Sequence, residues 1–284
     1  MSEIEGAITG EAAGVPYVAL PPADGPEKLA PLVIGWHLND PPRSAAAMAA
    51  ALPLNDLKAW RVYVDLPMHG KRQLPGGLSE FMQRGYQDAV LEAFEPQVKQ
   101  AVEEFPAVLT AIRGRFPIDD GPIGLIGASI GALPAQLVIA DHITEVSAAV
   151  LISPVIQLAE VIAANERRFS VTYPWSDASR AVAERYDLVA RAGEIAAADP
   201  QPAVLLVVGE DDDFAFERQS RHLRSALAER YTDRDRLDIV TIPGMGHAFA
   251  TEPGIEPEPQ SEEAQRVDDT ATGWLSKHLH PTRP

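Results

Sequence analysis

Residues Gly127-Ala128-Ser129-Ile130-Gly131 place a serine between two glycines. The apolar run Ile123–Gly127 leads into them and a helical pattern opens at Ile130, so the serine falls on a strand-to-helix turn. On so tight a turn the flanking positions must be small, the serine backbone is strained, and its hydroxyl is held outward. The helix N-terminus aims N–H groups at an oxyanion forming beside it. A serine hydroxyl is a weak nucleophile until a base takes its proton, and the base needs an acid to orient it. Both residue types follow later strands. Ala203–Val208 is followed by Gly209-Glu210-Asp211-Asp212-Asp213, and Leu237–Ile242 by Pro243-Gly244-Met245-Gly246-His247-Ala248-Phe249. His247 is the expected base, because it follows a strand and is flanked by glycine and Phe249. The order Ser129, Asp212, His247 fits a nucleophile, acid and base at successive strand ends, although Asp211 and Asp213 compete with Asp212. A run of three aspartates is also compatible with a solvated turn.

The elements that would position these residues alternate along the chain. Strands are expected at Pro31–Trp36, Trp60–Asp65, Ile123–Gly127, Ala148–Ile152, Ala203–Val208 and Leu237–Ile242. Several are apolar on both faces, as parallel strands covered by helices are. Helices are expected at Arg43–Leu52, Tyr86–Arg113, Ile130–Asp141, Phe214–Tyr231 and Glu262–Leu279. This pattern predicts a doubly wound, mostly parallel α/β sheet with helices on both faces. In such sheets, sites gather at the carboxyl ends of the strands. Glu3–Thr9 and Val15–Leu20 are expected to pair as an edge hairpin. The connection from Pro154 to Pro202 is far longer than one crossover needs. It carries Phe169, Tyr173, Trp175 and Tyr186, with helical periodicity over Arg180–Ile195, and reads as a cap over a pocket or a decorative insertion. Glu252–Glu263 reads as an acidic loop. The whole chain, 1–284, is expected to be one domain with the cap at about residues 155–200.

Composition narrows the function. The 284 residues carry 41 acidic and 24 basic side chains, a net charge of −17. That field repels phosphate backbones and anionic lipid, so neither a nucleic acid nor a membrane is an expected partner. With no cysteine, disulfides, thiolate catalysis and iron–sulfur clusters are excluded. The start of the chain has no secretory pattern and no apolar run reaches spanning length, so a cytoplasmic location is expected. No His-x-x-x-His pair or His/carboxylate cluster has metal-site spacing, and no dinucleotide or Walker-type loop is present, so no metal or cofactor is expected. Of the other histidines, His142 and His222 read as surface or helix-end residues, and His278 and His280 as part of the C-terminal tail.

Four places together resemble the α/β-hydrolase family over most of the chain: GASIG at Gly127–Gly131, GEDDD at Gly209–Asp213, GMGHAF at Gly244–Phe249, and the upstream pair IGWHLND and DLPMHGKR. The Asp65-Leu66-Pro67-Met68-His69-Gly70 turn is most similar to the dienelactone-hydrolase and bacterial serine esterase branches. Dienelactone hydrolases proper use a cysteine nucleophile, which this chain lacks. The resemblance implies an α/β-hydrolase fold, with the long connection as its helical cap, and no cofactor. It implies a Ser129–Asp212–His247 triad, since the family acid usually lies three residues after the strand-end glycine. The implied oxyanion donors are the backbone N–H groups of Ile130 and of Asn39 or Leu38, with Leu38 standing where the family has glycine. His37, Leu38, Trp175 and Phe249 are candidates for the pocket lining, while His37 and His69 match structural positions. The implied activity is hydrolysis of small carboxylic esters. A peptidase, a thioesterase or lactonase, an acyltransferase and a silent binding module remain alternatives on the same fold. The chain has no room for a β-propeller, which argues against an oligopeptidase. A homodimer is left open.

Overall fold

The computed structural model describes residues 4–279. At its centre is an eight-stranded sheet: β1 (Ile8–Ala12), β2 (Val15–Leu20), β3 (Leu32–Trp36), β4 (Trp60–Val64), β5 (Ile123–Ala128), β6 (Val146–Ile152), β7 (Ala203–Gly209) and β8 (Leu237–Ile242). The order is β1-β2-β4-β3-β5-β6-β7-β8. Strands β3 to β8 pair in parallel, while β2 pairs antiparallel with β1 and β4. Every residue of β3 to β7 is buried, which explains their unbroken apolar runs. At the edge, β8 is only partly buried and exposes Asp238 and Thr241.

The edge hairpin forms, but its first strand is Ile8–Ala12 rather than Glu3–Thr9; residue 3 lies outside the described residues. The turn sets this register. Ala13 and Gly14 both have positive φ, 51° and 81°, and Ala12 pairs with Val15. A two-residue turn of that hand matches the strand twist and leaves the strand no room to start earlier in register.

Helices α1 (Ala45–Ala51) and α9 (Glu262–His278) cover one face of the sheet, and α3 (Glu95–Arg115), α4 (Ala132–Ala140) and α8 (Phe214–Ala228) the other. The single helix expected over Tyr86–Arg113 is broken. Helix α2 (Gly77–Asp88) ends at Asp88, a π-type segment spans Ala89–Phe94, and α3 follows. Asp88 is extended at φ −157°, and its carboxylate accepts the N–H groups of Val90 and Leu91. It therefore starts a fresh helix as an N-cap does.

The long connection after β6 holds α5 (Leu158–Phe169), α6 (Asp177–Arg185) and α7 (Ala192–Ala196). Leu158, Ile162, Val182, Tyr186 and Ile195 are all buried in the main core, so these helices form a packed layer of the domain. The longest wholly exposed run in the connection is a strap at 167–172. Its far end is tied down: the Tyr173 hydroxyl donates to Asp88 and its N–H donates to Glu166 at 2.7 Å. Among the described residues no helix is long and apolar enough to cross a membrane.

Candidate active site

The sheet changes winding direction between β3 and β5, which are adjacent, with Trp36 opposite Gly127. Loops leaving two such strands diverge to opposite sides and open a crevice at their carboxyl ends. Ser129 stands there. Its φ is +49°, a strained value for a residue with a side chain. The segment Ser129–Gly131 makes one 3₁₀ turn into α4. The motif glycines are required by close approach: a Cβ on Gly127 would lie 2.5 Å from Ala132 Cα, and one on Gly131 2.4 Å from the His37 carbonyl oxygen. The loop after β6 secures the turn, with Val155 N–H donating to the Ser129 carbonyl at 3.0 Å.

His247 and Asp212 arrive on the neighbouring pair β7 and β8, where Gly209 pairs with Ile242. A Cβ on Gly209 would lie 2.2 Å from the Met245 carbonyl oxygen, and Asp211 N–H donates to that same oxygen at 2.9 Å. The two loops are thus pressed together. His247 Nδ1 lies 3.1 and 3.0 Å from the two carboxylate oxygens of Asp212, and Nε2 lies 2.8 Å from Ser129 Oγ. An Nδ1–H donated to the carboxylate leaves Nε2 free to accept the serine proton. The three-aspartate ambiguity resolves by division of labour. Asp213 accepts the Ala215 N–H at 2.8 Å as the N-cap of α8, Asp211 points to solvent, and the Asp212 side chain is 3% exposed beneath the imidazole.

Burial pulls the His247 pKa down, but the hydrogen bond and charge of Asp212, with Asp40, outweigh it. The net shift is upward, with Arg168 opposing. Phe216, at the start of α8, lays its ring against the imidazole at 4.3 Å between centroids.

On the β3 side, Leu38 N–H already donates to the Pro42 carbonyl at 3.2 Å, so of the two expected alternatives Asn39 retains the free N–H among the described residues. Ile130 N–H, in the first turn after the serine, has no intrahelical acceptor. The Asn39 amide is clamped by Gln97, a fully buried residue of α3: Asn39 Nδ2 donates to Gln97 Oε1 at 3.2 Å, and Gln97 Nε2 lies 2.8 Å from Asn39 Oδ1. Gln97 Nε2 is also 3.0 Å from His69 Nδ1 and 3.3 Å from the Pro67 carbonyl. Asp65 anchors the same corner by accepting the N–H groups of Ala45 (2.7 Å) and Lys71 (2.9 Å).

Three residues expected to line the pocket are shut away from it. His37 and Leu38 are 0% exposed and Phe249 3%. The His37 ring is saturated by backbone, with Nδ1 on the Leu38 carbonyl at 2.6 Å and Nε2 accepting Leu66 N–H at 3.0 Å. Burial pulls its pKa down to about 4 and that of His69 to about 3. Phe249 packs into the core on the α1 and α9 face. Trp175 is half-buried, edge-on to Tyr173 at 4.8 Å, and packs on the opposite-face core. Its ring meets Tyr173 and, at 5.8 Å, the Arg180 guanidinium, neither of which belongs to the triad. The neighbours that sequence reasoning missed are Asp40, Phe216 and Gln97, each distant along the chain from what it touches. A cavity of about 350 Å³ lies at the other end of the sheet, lined by Pro122, His142, Glu145 and Pro200. It is remote from Ser129, and the chemistry outranks its size.

Fold and site together define an α/β-hydrolase. Residues 84–280 match the Prolyl oligopeptidase family, and the chain belongs to that family of serine hydrolases. The fold is similar to that of TT1662 from Thermus thermophilus, with 18% identity, a TM-score of 0.65, and 97% of this chain and 99% of that one covered. It is also similar to carboxyl esterase 2 from Tuber melanosporum (16%, TM-score 0.53, 98% and 89% covered). A third likeness is to the acylaminoacyl peptidase of Pyrococcus horikoshii (12%, TM-score 0.61), where 98% of this chain spans only 42% of the peptidase. No curated protein matches the sequence.

Proposed function

We propose that the protein is a serine esterase that hydrolyses small carboxylic esters through an acyl-enzyme on Ser129. The observation that carries this reading is the continuous hydrogen-bonded line Ser129 Oγ–His247 Nε2 (2.8 Å) and His247 Nδ1–Asp212. Ser129 Oγ attacks the ester carbonyl as Nε2 takes its proton. Asp212 holds the tautomer and stabilises the imidazolium. The N–H groups of Ile130 and Asn39 face the negative charge that develops on the carbonyl oxygen. The tetrahedral intermediate collapses as Nε2–H protonates the leaving alcohol. Water, deprotonated by the same nitrogen, then attacks the acyl carbonyl and releases acid and free serine. Ester cleavage asks less of this machinery than amide cleavage, because an amine is a much poorer leaving group and must be protonated by Nε2–H before it departs.

The family match favours a second reading, a peptidase built on the same residues. One panel separates the two: a p-nitrophenyl butyrate, an aminoacyl p-nitroanilide and a thioester, each with wild type and Ser129→Ala. The ester reading expects the ester to be turned over fastest and the variant to lose at least about 10³-fold with little change in Tm. Faster anilide cleavage supports the peptidase, and full activity in the variant overturns both.

A further inference from the structure

One carboxylate besides Asp212 stands against the imidazole. Asp40 Oδ2 lies 3.9 Å from His247 Nε2, the nitrogen that also contacts Ser129 Oγ, and its side chain is 55% exposed. It follows Asn39 directly, so it sits on the lip of the loop whose N–H faces the oxyanion position. No Lys or Arg among the described residues forms an ion pair with it. A cation whose field reaches His247 is Arg168, whose guanidinium lies over its own neighbour Phe169 at 5.4 Å.

A fixed negative charge here supports the imidazolium that forms on His247 with every substrate, and its repulsion of the oxyanion offsets part of that support. A substrate that brings a positive charge to the same place gains more, because that charge pairs with Asp40 both in the bound state and in the transition state. The overall charge of −17 also raises the local concentration of cations.

Resting on the serine-hydrolase reading above, we propose that Asp40 is a specificity-determining residue that selects substrates carrying an ammonium group beside the scissile carbonyl. The bonds broken and formed are those of the hydrolysis already described; Asp40 adds a charge contact and takes no proton. A different role would be to support the imidazolium alone, which would favour every substrate equally.

The test uses two matched pairs, in each of which a trimethylammonium group is replaced by the isosteric tert-butyl group. Acetylthiocholine against 3,3-dimethylbutyl thioacetate places the cation on the leaving group. The p-nitrophenyl esters of trimethylammonioacetate and 3,3-dimethylbutyrate place it on the acyl side. The quantity read is the cationic-to-neutral ratio of kcat/KM for wild type and Asp40→Asn; intrinsic ester reactivity cancels when the two proteins are compared. The expected result is a fall in that ratio of about three- to ten-fold in at least one pair, the scale of a half-exposed charge contact. The pair that responds shows which side of the bond the ammonium occupies. Equal changes in both members, or an unchanged ratio in both pairs, overturn the proposal. If no ester of either pair is turned over while a neutral fluorophosphonate still labels Ser129, the proposal falls and the triad reading stands. If Ser129 takes no label, both fall.

Discussion

Replacing Gly131 by alanine tests the way the elbow is held against the oxyanion loop. Gly131 has φ −65° and ψ −14°, a conformation alanine adopts freely, so any effect is steric. The new Cβ would meet the His37 carbonyl oxygen at 2.4 Å and the Trp36 carbonyl oxygen at 2.8 Å. Both atoms are backbone at the end of β3 and have no rotamer by which to retreat. Restoring an ordinary carbon–oxygen contact needs a displacement of roughly 1 Å between the two loops. Overpacking of this kind costs about 1–3 kcal/mol of stability. It also parts the Asn39 N–H from the Ile130 N–H, and a misplacement of that size lowers catalysis by about 10²-fold. The assay is kcat on p-nitrophenyl butyrate beside a urea unfolding curve. Gly85→Ala serves as the control, because a Cβ there meets nothing within 4 Å and helical glycine costs about 0.5–1 kcal/mol relative to alanine. A Gly131→Ala protein with wild-type kcat and midpoint would refute the close-approach argument.

Two further outcomes follow from the buried polar corner. Gln97→Leu leaves the Asn39 amide, the Pro67 carbonyl and His69 Nδ1 without their partner, so stability falls by about 1–3 kcal/mol and kcat by about ten- to a hundred-fold; KM should change little, and an equal rise in KM with constant kcat would contradict a positioning role. His37 and His69 take up protons only near pH 4 and pH 3 in the folded protein, against about 6.5 when unfolded. The unfolded chain therefore binds more protons throughout the window below 6.5, and stability falls as the pH falls through it. Asp268 works in the opposite sense, because burial raises its pKa to about 6. The histidine contribution is isolated by comparing urea midpoints of wild type and His69→Gln between pH 7 and 4.5: the gap should narrow with acid, and a constant gap would contradict the assignment.

Much of the scaffold was legible because burial on both faces leaves a continuous apolar run, as in Ala203–Val208, and because Ser129, Asp212 and His247 each follow such a run. Less could be read where a local pattern serves two ends. Asp88 looks like one more polar residue on a helix, yet it ends one helix and caps the next segment. The three aspartates after β7 are equivalent in sequence and differ only once α8 takes Asp213 as its cap. Phe249 adjoins the histidine in sequence but turns into the core, while Phe216 reaches the imidazole from α8. Asp40 and Gln97 gave no sequence signal, because their partners meet them only through the adjacency of β3 with β5 and the packing of α3.

The most direct test of the central claim is the site of covalent modification by a fluorophosphonate, read by mass spectrometry of the digested protein. The geometry predicts one adduct, on the peptide containing Ser129, abolished by His247→Ala. An unmodified Ser129, or an adduct on another residue with Ser129 intact, would contradict it.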